Sequence, residues 1–346
     1  MPRSPLPFRA TPTVTALTTA LAGALLLSGC GASVDSGSGS SGDKSADRKV
    51  TVQRCGEKVE YRTPRRAVAY EGGSADKLFS LGLADRVHGY VMPPANPPVS
   101  ESPWAEDYAK VEKLSDDLLN KEIVVDAKSD FVVAGWNSGF SDQRGITPEI
   151  LDKLGVQSFM HTESCYNYPK YPEKKAPFEG LYADLDRLGR IFDVQKRADR
   201  VVGDLRKRVR AVEAKAEEGA SGPRLPVFLY DSGTDEPFTA GNQVPPNDII
   251  KSAGARNIFA GLDERWTEVS WEAVAKAEPE VIMILDYGDQ PAAKKIDFLK
   301  KSPHTKHLPA VEKNHFFILD YNEGISGPRN IDGLEKFAKY LRGLDG

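Results

Sequence analysis

Apolar side chains recur at Val194, Ala198, Val201, Val202, Leu205, Val209, Val212 and Ala216. These intervals keep returning to one face of a 3.6-residue helix, while Arg, Lys, Asp and Glu fill the other face. The pattern predicts one helix over residues 194–217 that no proline interrupts, with Gly219 to Pro223 as its stop. At about 1.5 Å per residue such a helix spans roughly 36 Å, about the diameter of a small domain. A rod of that length can join two lobes while holding them apart.

On either side of the rod the pattern changes to short apolar runs between helical stretches. Residues 50–61 alternate around Cys55 and Gly56 as an edge hairpin does. Residues 66–70 read as a buried strand that ends in a glycine-bearing loop, 71–74. Ser74 is the expected cap of a helix running to Leu81, which Gly82 ends. A strand follows at 86–91, then a proline-rich connection at 93–103, a helix at 121–128 and a strand at 131–136. A loop, 137–145, leads to a helix at 147–154 and a strand at 157–161. Beyond the rod come a strand at 227–230, a helix at 247–253 ended by Gly254, and strands at 281–285 and 316–319. Strands alternating with helices imply parallel sheets covered on both faces. The expected fold class is α/β: two three-layer α/β/α lobes with mainly parallel sheets, 50–193 and 218–346, joined by the one long helix.

Two spacings repeat between the halves. Asp76 precedes Gly82 by the same interval that separates Asp248 from Gly254, and Glu122 precedes Asp130 as Glu272 precedes Glu280. Both matches fall in the same order on the same kinds of element, which favours a duplicated lobe and hence a cleft between copies.

In sheets of this kind ligands bind beyond the carboxyl ends of the strands. Those ends carry Tyr70 and Glu71, Tyr90, Trp136 and Asn137, Tyr166, Tyr230, Tyr287 and Tyr321, with Phe238 and Trp266 in the second half. Aromatic side chains that present a flat apolar face and a polar tip suit a bulky, partly polar ligand. Arg144, Arg265 and Arg329 lie in loops near the same ends, where a planar fork of donors could meet carboxylates or a negatively charged chelate.

Composition sets limits on these readings. The chain has 346 residues and a net charge of −4, so no nucleic-acid partner is implied. Arg3 and Arg9 precede an apolar run, 14–27, that is too short to span a membrane comfortably and reads as a secretory signal. The run ends in Leu27, Ser28, Gly29 and Cys30, which resembles a bacterial lipobox with Cys30 as the lipidated residue. Residues 31–49, rich in Ser, Gly and Asp, form a flexible tether. The folded part is therefore expected on the outer face of the cell membrane, where thiols oxidise. Cys55 and Cys165 are the remaining cysteines, and a bond between them is the economical expectation; two buried free thiols are the alternative.

No Gly-x-Ser-x-Gly elbow is present, and neither Ser74 nor Ser232 has His and acid partners in a plausible order, which argues against a hydrolase. The pair His304 and His307 sits between prolines in a Lys-rich turn rather than on a helix, so no bare-metal site and no cofactor are expected.

The stretches 64–70 (PRRAVAY), 78–87 (LFSLGLADRV), 130–134 (DFVVA) and 266–272 (WTEVSWE) through 279–282 (PEVI) resemble the class III solute-binding proteins of ABC importers, over about residues 50–342. The resemblance implies a receptor that captures a ferric siderophore, haem or cobalamin and hands it to a permease with its ATPase. It also implies that Glu122 and Glu272, one per lobe, pair with permease arginines. Any metal would arrive inside its chelator, and a stiff helix between lobes implies little closure on binding. The segment Ser138, Gly139, Phe140 with Cys165 is similar to relatives assigned to deazaflavin-coenzyme precursors. The first cleft loop and the 93–103 insert depart from the family pattern.

Overall fold

The computed structural model describes residues 48–168, 173–219, 222–288 and 290–344. The expected leader, the lipidated Cys30 and nearly all of the tether lie outside the described residues.

The first half opens with an antiparallel hairpin, β1 (Lys49–Arg54) and β2 (Glu57–Arg62), turning at Cys55 and Gly56, both at positive φ. Five parallel strands follow: β3 (Ala67–Tyr70), β4 (Val87–Val91), β5 (Glu112–Ser115), β6 (Phe131–Ala134) and β7 (Gln157–Met160). Helices α1 (Glu71–Ser80), α2 (Ala105–Tyr108), α3 (Lys121–Asp126) and α4 (Pro148–Lys153) lie between them, and α5 (Pro177–Ile191) closes the half. The rod is α6 (Gln195–Glu218), one residue displaced from its expected bounds.

The second half contains β8 (Pro226–Tyr230), β9 (Phe238–Ala240), α7 (Pro245–Ser252), β10 (Arg256–Asn257), β11 (Trp266–Glu268), α8 (Trp271–Lys276) and β12 (Val281–Asp286). It ends with α9 (Ala292–Lys301), α10 (Pro309–Glu312), β13 (Phe316–Asp320), α11 (Tyr321–Gly324) and α12 (Asn330–Leu344).

The sheets run β5-β4-β3-β6-β7 and β10-β8-β12-β13, both parallel, with β9 and β11 as a separate antiparallel pair. In the first sheet β3 lies between β4 and β6 with β7 beyond β6, in the second β8 lies between β10 and β12 with β13 beyond β12, and the first sheet adds β5 outside β4. The duplication inferred from spacing is therefore a duplication of winding, with β3 matching β8, α1 matching α7, and α5 matching α12. Gly82 and Gly254 both take positive φ where α1 and α7 end. Asn120 and Ser270 cap α3 and α8 through bonds to the amides of Ile123 and Ala273.

Alternation along the strands sorts the core into layers. Ala67 and Ala69 of β3 and Val227 and Leu229 of β8 face a continuous inner core that includes Ala198, Leu205, Val209 and Val212 of α6. Val68 and Tyr70, and likewise Phe228 and Tyr230, face separate outer cores. The inner layer also takes apolar faces from α5 and α12, two long helices that the expected pattern did not contain. Both lobes belong to a single compact unit.

Two local expectations are corrected. Residues 71–74 are not a loop, because α1 starts at Glu71 directly after β3; Ser74 is no cap and bonds instead to His161 Nε2 at 2.9 Å. The turn is made by Glu71 itself, at φ +64°. The glycines serve close approach: a Cβ on Gly72 would stand 2.3 Å from Asn322 Oδ1, and one on Gly73 would stand 2.4 Å from the Ser326 carbonyl, both in the other lobe. The two thiols are bonded, so Cys55–Cys165 ties the hairpin turn to the 3₁₀ segment Thr162–Asn167 after β7.

Candidate ligand site between the lobes

A cavity of about 540 Å³ lies where the strand ends of the two lobes face each other. That volume falls within the range typical of small-molecule sites. Glu71, Trp136, Asn137 and Glu163 line it from the first lobe, and Asp231, Phe238, Arg265, Trp266, Tyr287 and Tyr321 from the second. Ala95, from the proline-rich insert, completes one edge, and the Pro94 carbonyl would lie 2.6 Å from a Cβ placed on Gly288 across the cleft.

The walls are held by bonds that cross between lobes. Tyr321 donates its hydroxyl to Glu71 Oε1 at 3.1 Å, and Arg265 Nη2 meets Glu163 Oε1 at 2.5 Å. The Tyr166 hydroxyl donates to the Asp263 carbonyl. Behind the cavity the fully buried Lys77 bonds Ser326 at 2.9 Å and pairs with Asp184 at 3.1 Å. The repeated aspartates are cross-lobe groups as well. Asp76 pairs with Arg329 at 3.0 Å, and Asp248 accepts the amide of Phe178, at the start of α5, at 3.0 Å.

These contacts perturb the acids. Burial pushes Glu71 up to about 7, against the opposing hydrogen bonds from Tyr321 and Ser138 and the nearby Arg144. Asp231, bonded by Ser232 and Tyr287, is also raised by burial. Desolvation outweighs the Arg329 guanidinium at Asp76, whose carboxyl is pushed up to about 6. Burial and the nearby cations Lys77 and Arg265 hold His161 well below the usual imidazole value, so it stands neutral in the cavity wall.

Six expected ligand residues do not line the cavity. Tyr70 and Tyr230 are almost fully buried in the outer cores, because their strand parity turns them away and only the next residue, Glu71 or Asp231, reaches the cleft. Tyr90 is a core residue packed edge-on against Tyr108 of α2, ring centroids 5.1 Å apart, on a helix hidden in the proline-rich connection. Arg329 is committed to Asp76, and Tyr166 sits at the rim with Lys174 over its ring. Arg144 turns Nη2 to the carbonyls of Asn137, Ser138 and Gly139 rather than to the cleft. Residues not expected at the cavity include His161, Glu163 and Asp231. Asp231 and Glu163 follow strands β8 and β7, so the strand-end rule could have found them; His161 gave no signal beyond its position. Glu122 and Glu272 are exposed in the first turns of α3 and α8.

Among the described residues no group of three or more His, Cys, Asp or Glu side chains is placed to hold a metal ion, and no helix is long and apolar enough to cross a membrane.

Residues 68–323 match the family model described as periplasmic binding protein. The chain belongs to the periplasmic binding protein family. The family is a class of solute-binding proteins rather than enzymes, and this member falls with those that serve ABC importers. The chain is 25% identical to the petrobactin-binding protein YclQ of Bacillus subtilis over 93% of its own length and 96% of that protein. It is 26% identical to the vitamin B12-binding protein of Photorhabdus laumondii, over 65% of this chain and 72% of that one. Among solved structures, a protein of an ABC-type Fe3+-hydroxamate transport system from Saccharomonospora viridis superposes with a TM-score of 0.71 at 26% identity, covering 84% of this chain and 98% of that one.

Proposed function

We propose that this protein captures a ferric siderophore in the cavity between its lobes and delivers it to an ABC permease and its ATPase. The observation that carries the reading is the cleft cavity itself, walled by Trp136, Phe238, Trp266, Tyr287 and Tyr321 and bridged by polar contacts from both lobes. Aromatic area in that quantity suits a chelate with an apolar envelope and a polar metal centre. The petrobactin-binding relative, aligned over 93% of this chain, and the Fe3+-hydroxamate transport structure support the siderophore reading, and the vitamin B12-binding relatives make a corrinoid the second reading. The metal enters as part of the cargo.

Cys30 carries the lipid anchor and the residues between it and β1 form the tether, so the receptor works at the outer face of the cell membrane. Glu122 and Glu272 dock to the permease. They are exposed, one per lobe, on helices related by the internal duplication, as two contacts with a symmetric transporter require.

The test is calorimetric titration with ferric hydroxamate and catecholate siderophores, cyanocobalamin, haemin and a deazaflavin. The expected result is a ferric siderophore with a Kd below roughly 10 μM, about −7 kcal/mol, and weaker binding of the others. A corrinoid, haem or deazaflavin as the tightest ligand overturns the siderophore assignment. No binding in the whole panel overturns the transport reading.

A further inference from the structure

The duplication puts an acid in the same place in each lobe. Glu71 is the first residue after β3 and Asp231 the first after β8, the matching strand of the other half, and both line the cavity. Each accepts a hydroxyl from a second-lobe tyrosine: Tyr321 bonds Glu71 at 3.1 Å and Tyr287 bonds Asp231 at 2.9 Å. The two tyrosine rings meet edge to face with centroids 5.7 Å apart. One wall of the cavity is therefore a run of acid, tyrosine, tyrosine, acid.

Among the described residues of the lining no cationic side chain stands free beside these acids, and the cations that act on them, Arg144 on Glu71 and Lys295 on Asp231, are not part of the lining. Arg265 is the only Arg or Lys among the described residues of the lining, and its Nη2 is held by Glu163, so the pair contributes no net charge. Arg144 and Lys295 lie behind the walls. Arg144 donates to carbonyls of its own loop, and Lys295 donates to the Leu285 carbonyl at 2.6 Å with its ammonium 4.0 Å from the centroid of the Tyr287 ring. His161 is neutral. What remains facing the ligand is carboxylate oxygen and the electron-rich rings of Trp136, Trp266 and Tyr321, both of which attract cations.

Resting on the siderophore reading above, we infer that the cargo is a positively charged chelate: a ferric trihydroxamate with a protonated amine, recognised by Glu71 and Asp231. In such a complex three hydroxamate anions cancel the charge of Fe3+, so a free amine sets the net charge at plus one. Ferric tris-catecholates and carboxylate chelates are anionic and would place like charge against both acids. This reverses the expectation that arginines of the cleft receive an anionic ligand.

The inference is tested by titrating the wild-type protein at pH 8 with ferrioxamine B, which has a terminal amine, with its N-acetylated derivative, and with an anionic ferric tris-catecholate. Ferrioxamine B is expected to bind about tenfold tighter than the N-acetylated form, or better. The ratio of the two affinities is expected to collapse toward one in Glu71→Gln and in Asp231→Asn. A merely structural role for these acids would weaken both hydroxamates alike and keep the ratio. A wild-type ratio near one, or a catecholate that binds more tightly, overturns the charge assignment and leaves the receptor reading standing. Failure of all three chelates overturns both.

Discussion

The two halves of this chain share a winding order but are finished differently. In the first, the edge strand β7 is covered by the β1–β2 hairpin: Tyr61 donates to the Ser158 carbonyl at 2.8 Å, Arg54 to the same carbonyl at 3.1 Å, and the Cys55–Cys165 bond fixes the hairpin's turn. In the second, the edge strand β13 leaves Ile318 half exposed. The cross-lobe aspartates differ as well. Asp76 of α1 meets a guanidinium, whereas its counterpart Asp248 of α7 meets a backbone amide. Duplication supplied the scaffold and the position of each acid, and divergence decided its partner. The asymmetry has measurable consequences.

The largest is at the aspartates. Asp76→Ala leaves the buried Arg329 with only its longer contact to Asp320, at 3.8 Å, and leaves Tyr108 and Ser102 without their acceptor; it should cost about 3–5 kcal/mol in urea unfolding at pH 8. Asp248→Ala leaves the Phe178 amide and the Asn247 side chain, both neutral, without their acceptor and should cost about 1–3 kcal/mol. Equal losses would mean that the ion pair contributes no more than the neutral hydrogen bonds. Next comes the disulfide. Cys55→Ser with Cys165→Ser should cost about 2–5 kcal/mol, and hydrogen exchange should rise in β1, β2 and the segment after β7 while β8, β12 and β13 stay protected. A uniform rise across both halves would show that the bond staples the whole unit.

The smallest effect is on pH. Glu71 sits near 7 in the free protein, faced by Tyr321, Ser138, Arg144 and Glu163. A cationic ligand requires the ionised form, so protons compete with it below that value and not above. Affinity for ferrioxamine B should therefore fall by up to about tenfold per unit as pH drops below about 7 and level off above it. Glu71→Gln should flatten the profile. A profile already flat in the wild type would remove Glu71 from cation recognition.

Much of the architecture was legible because it is written in periodicity. The rod announced itself through eight apolar positions on one helical face, and the duplication through Asp76 with Gly82 and Asp248 with Gly254. The site was only half legible. Strand-end position finds Trp136, Tyr287 and Tyr321, whereas Phe238 and Trp266 open the antiparallel strands β9 and β11, and a period of two decides whether the last strand residue faces a core or a cleft. That parity puts Glu71 and Asp231 at the cavity and buries Tyr70 and Tyr230. Helix α2 was hidden by the prolines around it, so the role of Tyr90 as its packing partner was hidden too. Which arginine is free and which is paired depends on contacts between residues more than a hundred positions apart, as with Glu163 and Arg265. No local pattern encodes that.

The central claim is that ligand sits between the lobes, and tryptophan fluorescence tests it most directly. Of the four tryptophans, Trp136 and Trp266 line the cavity, whereas Trp104 and Trp271 do not. Titration with a ferric trihydroxamate should quench the emission, and Trp136→Phe with Trp266→Phe should remove most of that quenching while Trp104→Phe with Trp271→Phe retains it. Quenching that survives loss of Trp136 and Trp266 and disappears with Trp104 and Trp271 would place the ligand elsewhere and contradict the account.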